Sequence, residues 1–182
     1  TQYNESDAAF GKRRLAEEGI NYGFDSQWQD GHIVTTLILF DDNAQLPELG
    51  TVRFHRADGT EAADSITEWH AHRRLSPASV AAASYDYKPV DVIRTDETTR
   101  FDQGEAGNAL ASTLHDYRHD ITHYGNDSDD YARYANLRMQ AYEAAAKQFA
   151  GSGSTRQLRA GLRFTLADHP EIDAHDPQDR TF

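Results

Sequence analysis

The stretch from Asp64 to Pro89 constrains the fold most, because it contains two successive runs with the alternation of β-strands. In the first run Trp69, Ala71 and Leu75 fall on one face, with Arg73 among them, and the other face is polar: Glu68, His70, His72 and Arg74. The second run places four residues on one face: Ala81, Ala83, Tyr85 and Tyr87. Pro77, between the runs, suits a tight connection. We therefore predict a long antiparallel hairpin that buries Trp69 and Tyr85, with a helix starting in the alanine-rich 80–83 segment as the alternative.

Other stretches predict helices and further strands around this hairpin. One helix is expected over Asn4–Glu18 and a longer one over Ser128–Phe149, followed by a flexible 151–154 connection. Ile20 to Phe24 and Ile33 to Phe40 are typical of two strands joined by a turn at Gln29-Asp30-Gly31. Short strands are also expected around Val52–Phe54 and Leu162–Leu166, whereas the charged 90–108 segment predicts a surface loop.

The composition limits the classes of protein to which this chain can belong. Its 182 residues suit one domain or two small ones, and no run is long and apolar enough to span a membrane. The formal charge of -12 argues against a nucleic-acid partner, because phosphate binding needs a basic face. The absence of cysteine excludes disulfides and thiolate metal ligands. Because the chain begins at Thr1 rather than Met, we expect it to be a piece of a larger protein.

Three histidines form the most specific candidate site for a metal. His115, His119 and His123 are spaced four residues apart, so on a helix their imidazoles would line one face and could bind zinc or nickel. In a strand that runs into a loop, the same spacing does not indicate a metal site. His70 and His72 are a second, weaker pair on the exposed side of the first run. No arrangement of nucleophile, base and orienting group can be assembled, and we predict no bound metal, no cofactor and no enzymatic activity.

Four segments in sequence order carry a family resemblance: TQYNESDAAFGKRRLAEEGINYGF, HIVTTLILFDDNAQLPEL, ITEWHAHRRLSPASVAAASYDYKP and LRAGLRFTLADHP. Together they resemble the hub region of the VgrG spike proteins of type VI secretion systems. They are also similar to the related hub proteins of contractile phage tails (late control protein D). The four segments span nearly the whole chain, and their common order makes the resemblance specific.

The resemblance implies an α+β fold of mainly antiparallel strands, with a barrel-like hub domain and two main helices. It implies a small α+β unit over residues 1–55 and the hub domain over residues 56–182. The implied function is structural: a spike hub that caps the secretion tube and helps deliver effectors. Expected partners are two further copies in a full-length homotrimer, an Hcp-like tube ring protein, and effectors or adaptors. Such a protein is assembled in the bacterial cytoplasm and then injected.

Two alternatives to a secretion hub remain open at the level of sequence. One is a baseplate hub of a contractile phage tail, which this region does not distinguish from a secretion spike. The other is a histidine-dependent metal-binding module or an effector-adaptor module.

Overall fold

The computed structural model describes residues 2–56, 63–122 and 124–182. In chain order the helices and strands are α1 (Asp7–Glu17), β1 (Asn21–Gln29), β2 (His32–Phe40), β3 (Glu48–Arg53), β4 (Ile66–Arg73), β5 (Ser79–Asp86), β6 (Asp91–Thr98), α2 (Glu105–Ala111), β7 (His115–His119), α3 (Ser128–Ala146), β8 (Lys147–Gly153) and β9 (Arg163–Ala167). The predicted α+β class is confirmed, with α1 and α3 as the two longer helices. The strands of the described residues form small sheets and no closed barrel.

The chain divides into two compact units. One contains Thr1–His70 and Ala150–Phe182, and the other contains Ala71–Phe149. These bounds differ from the predicted boundary near residue 55, because β3 pairs in parallel with β9 from the C-terminal part of the chain. Whether residues 1–55 form a separate domain stays a prediction.

The first hairpin is confirmed as the sequence predicts it. β1 and β2 pair antiparallel along their whole length, from Asn21 opposite Phe40 to Gln29 opposite His32. Asp30 and Gly31 both have positive φ, 48° and 85°, which is the type I′ turn that matches the twist of a two-residue hairpin. The preceding helix α1 begins after Ser6, whose side chain accepts a hydrogen bond from the Ala9 N–H.

The core of the first unit lies around β3 and β9. Its buried residues are Val52, Phe54, Ile66, Leu166 and Ile172. Leu166 has no exposed surface, and Val52 lies opposite it in the parallel register. The predicted strands around Val52 and Leu166 are therefore confirmed, and their apolar side chains join segments more than a hundred residues apart in sequence.

The predicted long hairpin is wrong in its pairing, although both of its strands exist. β4 pairs with β8, not with β5. The Ser154 N–H donates to the Ser65 carbonyl at one end of this pair, and the Arg74 N–H donates to the Ala146 carbonyl at the other. The strands therefore run antiparallel. Consequently α3 ends at Ala146, and residues 147–153, predicted as the end of a helix and a flexible connection, form strand β8.

β5 is the central strand of a three-stranded sheet in the second unit. It pairs antiparallel with β6 and parallel with β7. The helical alternative for residues 80–83 is wrong, and so is the loop predicted over residues 90–108, because β6 and α2 form there. Among the described strands β6 pairs only with β5, so it is an edge strand. Charged side chains, such as those of β6, are common on edge strands. No described helix has the length and apolar character to cross a membrane.

The burial predicted for the two aromatic residues is only partly met. Tyr85 is 38% exposed near the end of β5, although Ala83 on the same side of the strand is buried. Trp69 is half-buried, and its ring centroid lies 4.8 Å from that of Phe182 and 6.1 Å from that of Phe164. Trp69 therefore borders the core of the first unit instead of packing on Tyr85.

These contacts make Trp69 the first testable position. We expect Trp69→Ala to lower the free energy of unfolding by roughly 2–3 kcal/mol, below the ~3–5 kcal/mol of a fully buried aromatic, because the side chain is half exposed. Urea unfolding followed by circular dichroism measures this loss. Trp28→Ala is the matched control, because Trp28 is 71% exposed and its removal should change stability by less than about 0.5 kcal/mol. Equal effects of the two substitutions would contradict the packing of Trp69.

Candidate interaction surface

One face of the β1–β2 hairpin presents apolar side chains to solvent. Directly opposed residues of an antiparallel pair share a face. The register therefore gathers four cross-strand pairs on one side: Tyr22 with Leu39, Phe24 with Leu37, Ser26 with Thr35, and Trp28 with Ile33. We call these eight residues the apolar hairpin face.

The exposure of this face is high for side chains of its composition. Trp28 is 71% exposed, Ile33 65%, Phe24 60%, Leu37 53% and Leu39 51%. The two polar members satisfy each other, since the Ser26 and Thr35 hydroxyls lie 2.9 Å apart. None of the eight residues carries a formal charge, in a chain with 30 acidic and 18 basic residues. Contiguous exposed apolar surface of this kind marks an interaction site.

The opposite face of the hairpin is partly covered within the same unit. Gly23 is buried, and a Cβ atom there would lie 3.7 Å from the Ala160 carbonyl oxygen. Asp25, also on this side, pairs with Arg159 at 2.6 Å between Oδ1 and Nη1. The hairpin is thus held from one side, which leaves the apolar hairpin face available for a partner.

The sequence predicts a small α+β unit over residues 1–55 but does not predict this exposed face. A signal for it was present in β2, where Ile33, Val34, Leu37, Ile38, Leu39 and Phe40 make a nearly continuous apolar run. Such a run is typical of a strand that is covered on both faces. In this chain the face opposite the apolar hairpin face is only partly covered: Gly23 is buried and Val34 half-buried, whereas Ile38 is 40% exposed.

The histidines predicted as a candidate metal site do not form a helical cluster. His115 and His119 are the first and last residues of strand β7, so their Cα atoms lie roughly 13 Å apart at the rise of an extended strand. The His115 Nδ1 lies 2.6 Å from the Ser79 Oγ. His123 lies outside the described residues. Within the described ranges, no group of three or more histidine or carboxylate side chains is placed to hold a metal ion. That the protein binds no metal stays a prediction.

The second candidate pair also lies along a strand. His70 and His72 are both exposed in β4, and the nearby Glu68 carboxylate accepts a hydrogen bond from the Ser152 hydroxyl at 2.6 Å. This contact within the first unit ties Glu68 to β8. It gives Glu68 a structural role.

A polar network in the second unit was not predicted from sequence. Asp120 accepts two hydrogen bonds from the Arg138 guanidinium, at 2.8 and 2.7 Å, and one from the Tyr131 hydroxyl at 3.0 Å. Tyr131 is completely buried, and the side chains of Asp120 and Arg138 are 14% and 19% exposed. Asp120 follows β7 directly, whereas both donors lie on α3, so the network holds α3 against the sheet. No local pattern predicts it, because the acceptor and the donors come from different elements.

Burial alone would raise the pKa of Asp120, because it disfavours the charged carboxylate. The hydrogen bonds from Arg138 and Tyr131, together with the charge of Arg138, lower it more strongly, so the pKa of Asp120 lies below its ordinary value. The same contact raises the pKa of Arg138. The geometry is that of a structural ion pair.

Comparison with known proteins identifies similar chains. The type VI secretion system spike protein VgrG1c of Pseudomonas aeruginosa is 25% identical over 173 residues, which are 94% of this chain and 23% of that protein. The spike proteins VgrG1b and VgrG1a of the same organism are also 25% identical over 173 residues, covering 22% and 26% of their lengths. The chain thus spans about a quarter of the length of these relatives.

The family model described as the phage tail baseplate hub (GPD) matches residues 1–182. This match runs through both compact units and includes the hairpin that carries the apolar face. The sequence resemblance to hub proteins is therefore confirmed, and the chain belongs to the phage tail baseplate hub (GPD) family.

Proposed function

We propose that this chain is a structural part of the spike hub of a type VI secretion system. In this proposal the full protein is a homotrimer that caps the tube of an Hcp-like ring protein and is injected outward with its effectors. It has no catalytic activity, and it is assembled in the cytoplasm before injection. The family match and the similarity to three secretion spike proteins support this role.

The apolar hairpin face is the observation that carries the proposal. A hub works through persistent contacts with other subunits, and such contacts need apolar surface without unpaired charge. We propose that a second copy of the chain covers this face in the assembled hub. The two aromatic members, Phe24 and Trp28, can bury about 150–250 Å² each, so together with the aliphatic Ile33, Leu37 and Leu39 the face would contribute on the order of 500 Å². That is more than half of the roughly 800 Å² per partner of a standard interface.

The absence of charge on the apolar hairpin face also favours a second copy of the chain as its partner. Two chains of formal charge -12 repel each other, and salt screens this repulsion only partly. A contact between uncharged faces adds no like-charge pair at short distance. Burial of the apolar side chains, at about 25 cal/mol per Å², then favours association.

A charge placed on this face should prevent assembly. We expect Ile33→Lys in the full-length protein to reduce the trimer population and the amount of tube ring protein released into the medium by at least roughly tenfold, because a lysine would be buried without a partner. Native mass spectrometry measures the first quantity and immunoblotting of culture supernatants the second.

Ile121→Lys is the matched control for this experiment. Ile121 is 74% exposed and lies outside the hairpin, and the two substitutions change the net charge by the same amount. We expect Ile121→Lys to leave assembly and release within about twofold of the parent protein. Because either substitution makes the chain less acidic, loss of the trimer in Ile33→Lys alone could not come from general repulsion. Equal behaviour of the two variants would contradict the role proposed for the face.

A baseplate hub of a contractile phage tail is the second candidate, because the family model carries that description and matches the whole chain. The two functions differ in what releases the protein. A secretion spike appears in the medium of intact cells, whereas a phage hub appears only in particles after lysis. Supernatants taken before and after induced lysis separate the two.

A further inference from the structure

The β1–β2 hairpin has two free strand edges in addition to its apolar face. Among the described strands, β1 and β2 pair only with each other, and each is nine residues long. Within the part of the chain that the structure describes, no backbone hydrogen bond joins either strand to another segment. A strand with a neighbour on one side only keeps a row of unpaired N–H and C=O groups on the other side. The hairpin therefore offers two such rows.

The register determines which residues direct these groups outward. Gln29 and His32 flank the type I′ turn as its first and last residues, so they form a hydrogen-bonded pair. Bonded and non-bonded pairs alternate along an antiparallel ladder, so the four pairs of the apolar hairpin face are the non-bonded ones. The 2.9 Å between the Ser26 and Thr35 hydroxyls agrees with this, because side chains of non-bonded pairs lie closer together. The residues of the apolar hairpin face thus also direct their N–H and C=O groups to the free edges.

Both free edges lack the features that prevent edge strands from pairing. Such strands are usually protected by charged side chains, proline or a bulge. β2 contains no Asp, Glu, Lys, Arg or Pro, and the register of the hairpin runs without a bulge. The one charged residue of β1 is Asp25, which lies on the opposite face and pairs with Arg159. The edge strand β6 differs, because it has four charged residues: Asp91, Arg94, Asp96 and Glu97.

The proposed hub limits what can pair with the edge of β2. In a ring of three copies every contact joins two different surfaces, whereas a contact of β2 with another β2 would join copies only in twos. The free edge of β1 has the same length and is formed by the uncharged residues of the apolar hairpin face. The area points the same way, because the face supplies about 500 Å² of the roughly 800 Å² per partner that a standard interface buries. Strand pairing would add both area and backbone hydrogen bonds.

We propose that the free edge of β2 pairs antiparallel with the free edge of β1 in the next copy of the chain. The outward N–H and C=O groups of the two strands then bond to each other. Because β1 and β2 are already antiparallel within each hairpin, three such contacts close a ring of six strands with the apolar hairpin faces inside. This inference rests on the proposed trimeric hub, and it names the strands through which the copies join.

Cross-linking tests which strands meet, because the chain contains no cysteine. Gln27→Cys on β1 and Thr36→Cys on β2 change exposed residues on the side away from the apolar hairpin face. The two full-length variants carry different tags, are produced together, and are treated with a short bis-maleimide. We expect the product that joins the two variants to exceed, by at least about tenfold, the product that joins two copies of either variant, because each contact joins β2 to β1. Thr36→Cys chains linked mainly to each other, or no linked product, would refute the pairing.

A proline in β2 tests the backbone contact itself. The Thr35 N–H points to the free edge, so Thr35→Pro removes a bond between copies and none within the hairpin. We expect native mass spectrometry of the full-length protein to show at least a roughly tenfold smaller trimer population for Thr35→Pro. Thr35→Val is the matched control, because it keeps the N–H and loses only the hydroxyl, and its trimer population should stay within about twofold of the parent.

The two experiments separate the strand contact from the proposed function. A trimer that survived Thr35→Pro but was lost in Ile33→Lys would refute the strand contact and leave the role of the apolar hairpin face in place. Cross-linking between β1 and β2 in cells that release no tube ring protein would support the strand contact and contradict the secretion function.

Discussion

Asp120→Ala is expected to lower the free energy of unfolding by roughly 3 kcal/mol, because it leaves the Arg138 guanidinium and the Tyr131 hydroxyl partly buried without their acceptor. The loss should appear as release of α3 from the sheet, since both donors lie on that helix. Urea unfolding followed by helical circular dichroism measures it. Asp168→Asn is the control: its partner Arg53 is 51% exposed and Asp168 itself 54%, and asparagine tolerates the positive φ of 63° at this position, so the change should stay below about 1 kcal/mol.

The pH dependence of stability checks the same network. The pKa of Asp120 is lower in the folded chain than its ordinary value, so its contribution is fully present above the unfolded pKa of about 3.9 and is lost as the pH falls through the folded pKa. We expect Asp120→Asn to remove this part of the acid dependence. If the parent chain and Asp120→Asn lost stability equally between neutral pH and about pH 3, the network would not hold the charged carboxylate.

Gly153→Ala is expected to lower the free energy of unfolding about as much as Asp120→Ala does, for a steric reason. A Cβ atom at Gly153 would overlap the Ser65 carbonyl oxygen and lie 2.7 Å from the Ile66 Cα, both of them backbone atoms of the neighbouring segment. The two strands would have to separate, at a cost of roughly 3 kcal/mol. Thermal unfolding compares this variant with Gly23→Ala. Gly23 is also in a strand, but an added Cβ would meet only the Ala160 oxygen, at 3.7 Å.

The control variant, Gly23→Ala, should not lower the stability of the chain. Alanine reduces the freedom of the unfolded chain, so we expect Gly23→Ala to leave stability unchanged or to raise it by up to about 1 kcal/mol. If Gly153→Ala were equally harmless, β8 would not approach β4 as closely as the structure indicates.

Local sequence was sufficient wherever the interacting residues are close together in the chain. The Asp30-Gly31 turn joins two apolar runs, so the β1–β2 hairpin and its register follow from nine residues on either side. Helix α3 was predicted to begin at Ser128, as it does, and the side chain that caps it is that of the preceding residue, Asp127. The family assignment also came from sequence, because four ordered segments carry it over nearly the whole chain.

Only the tertiary structure decided which strands pair. The alternation in β4 and β5 predicts two strands and their faces, but it does not name the hydrogen-bond partner. That partner is β8 for β4, and both β6 and β7 for β5. The alanine-rich run before Lys147 favours a longer helix by propensity. Pairing with β4 outweighs this preference, since it satisfies the backbone groups of residues 147–153 where the glycines allow close approach.

The apolar hairpin face was likewise only partly predictable from the sequence. The apolar residues of the hairpin face are visible in the sequence, but their exposure depends on what the rest of the fold covers. Sequence alone determined the family, the local hairpin and the long helix. The strand partners and the Asp120 network required the fold, because each joins residues that are distant in the chain. The exposure of the apolar hairpin face required it because the rest of the chain decides which side of the hairpin is covered.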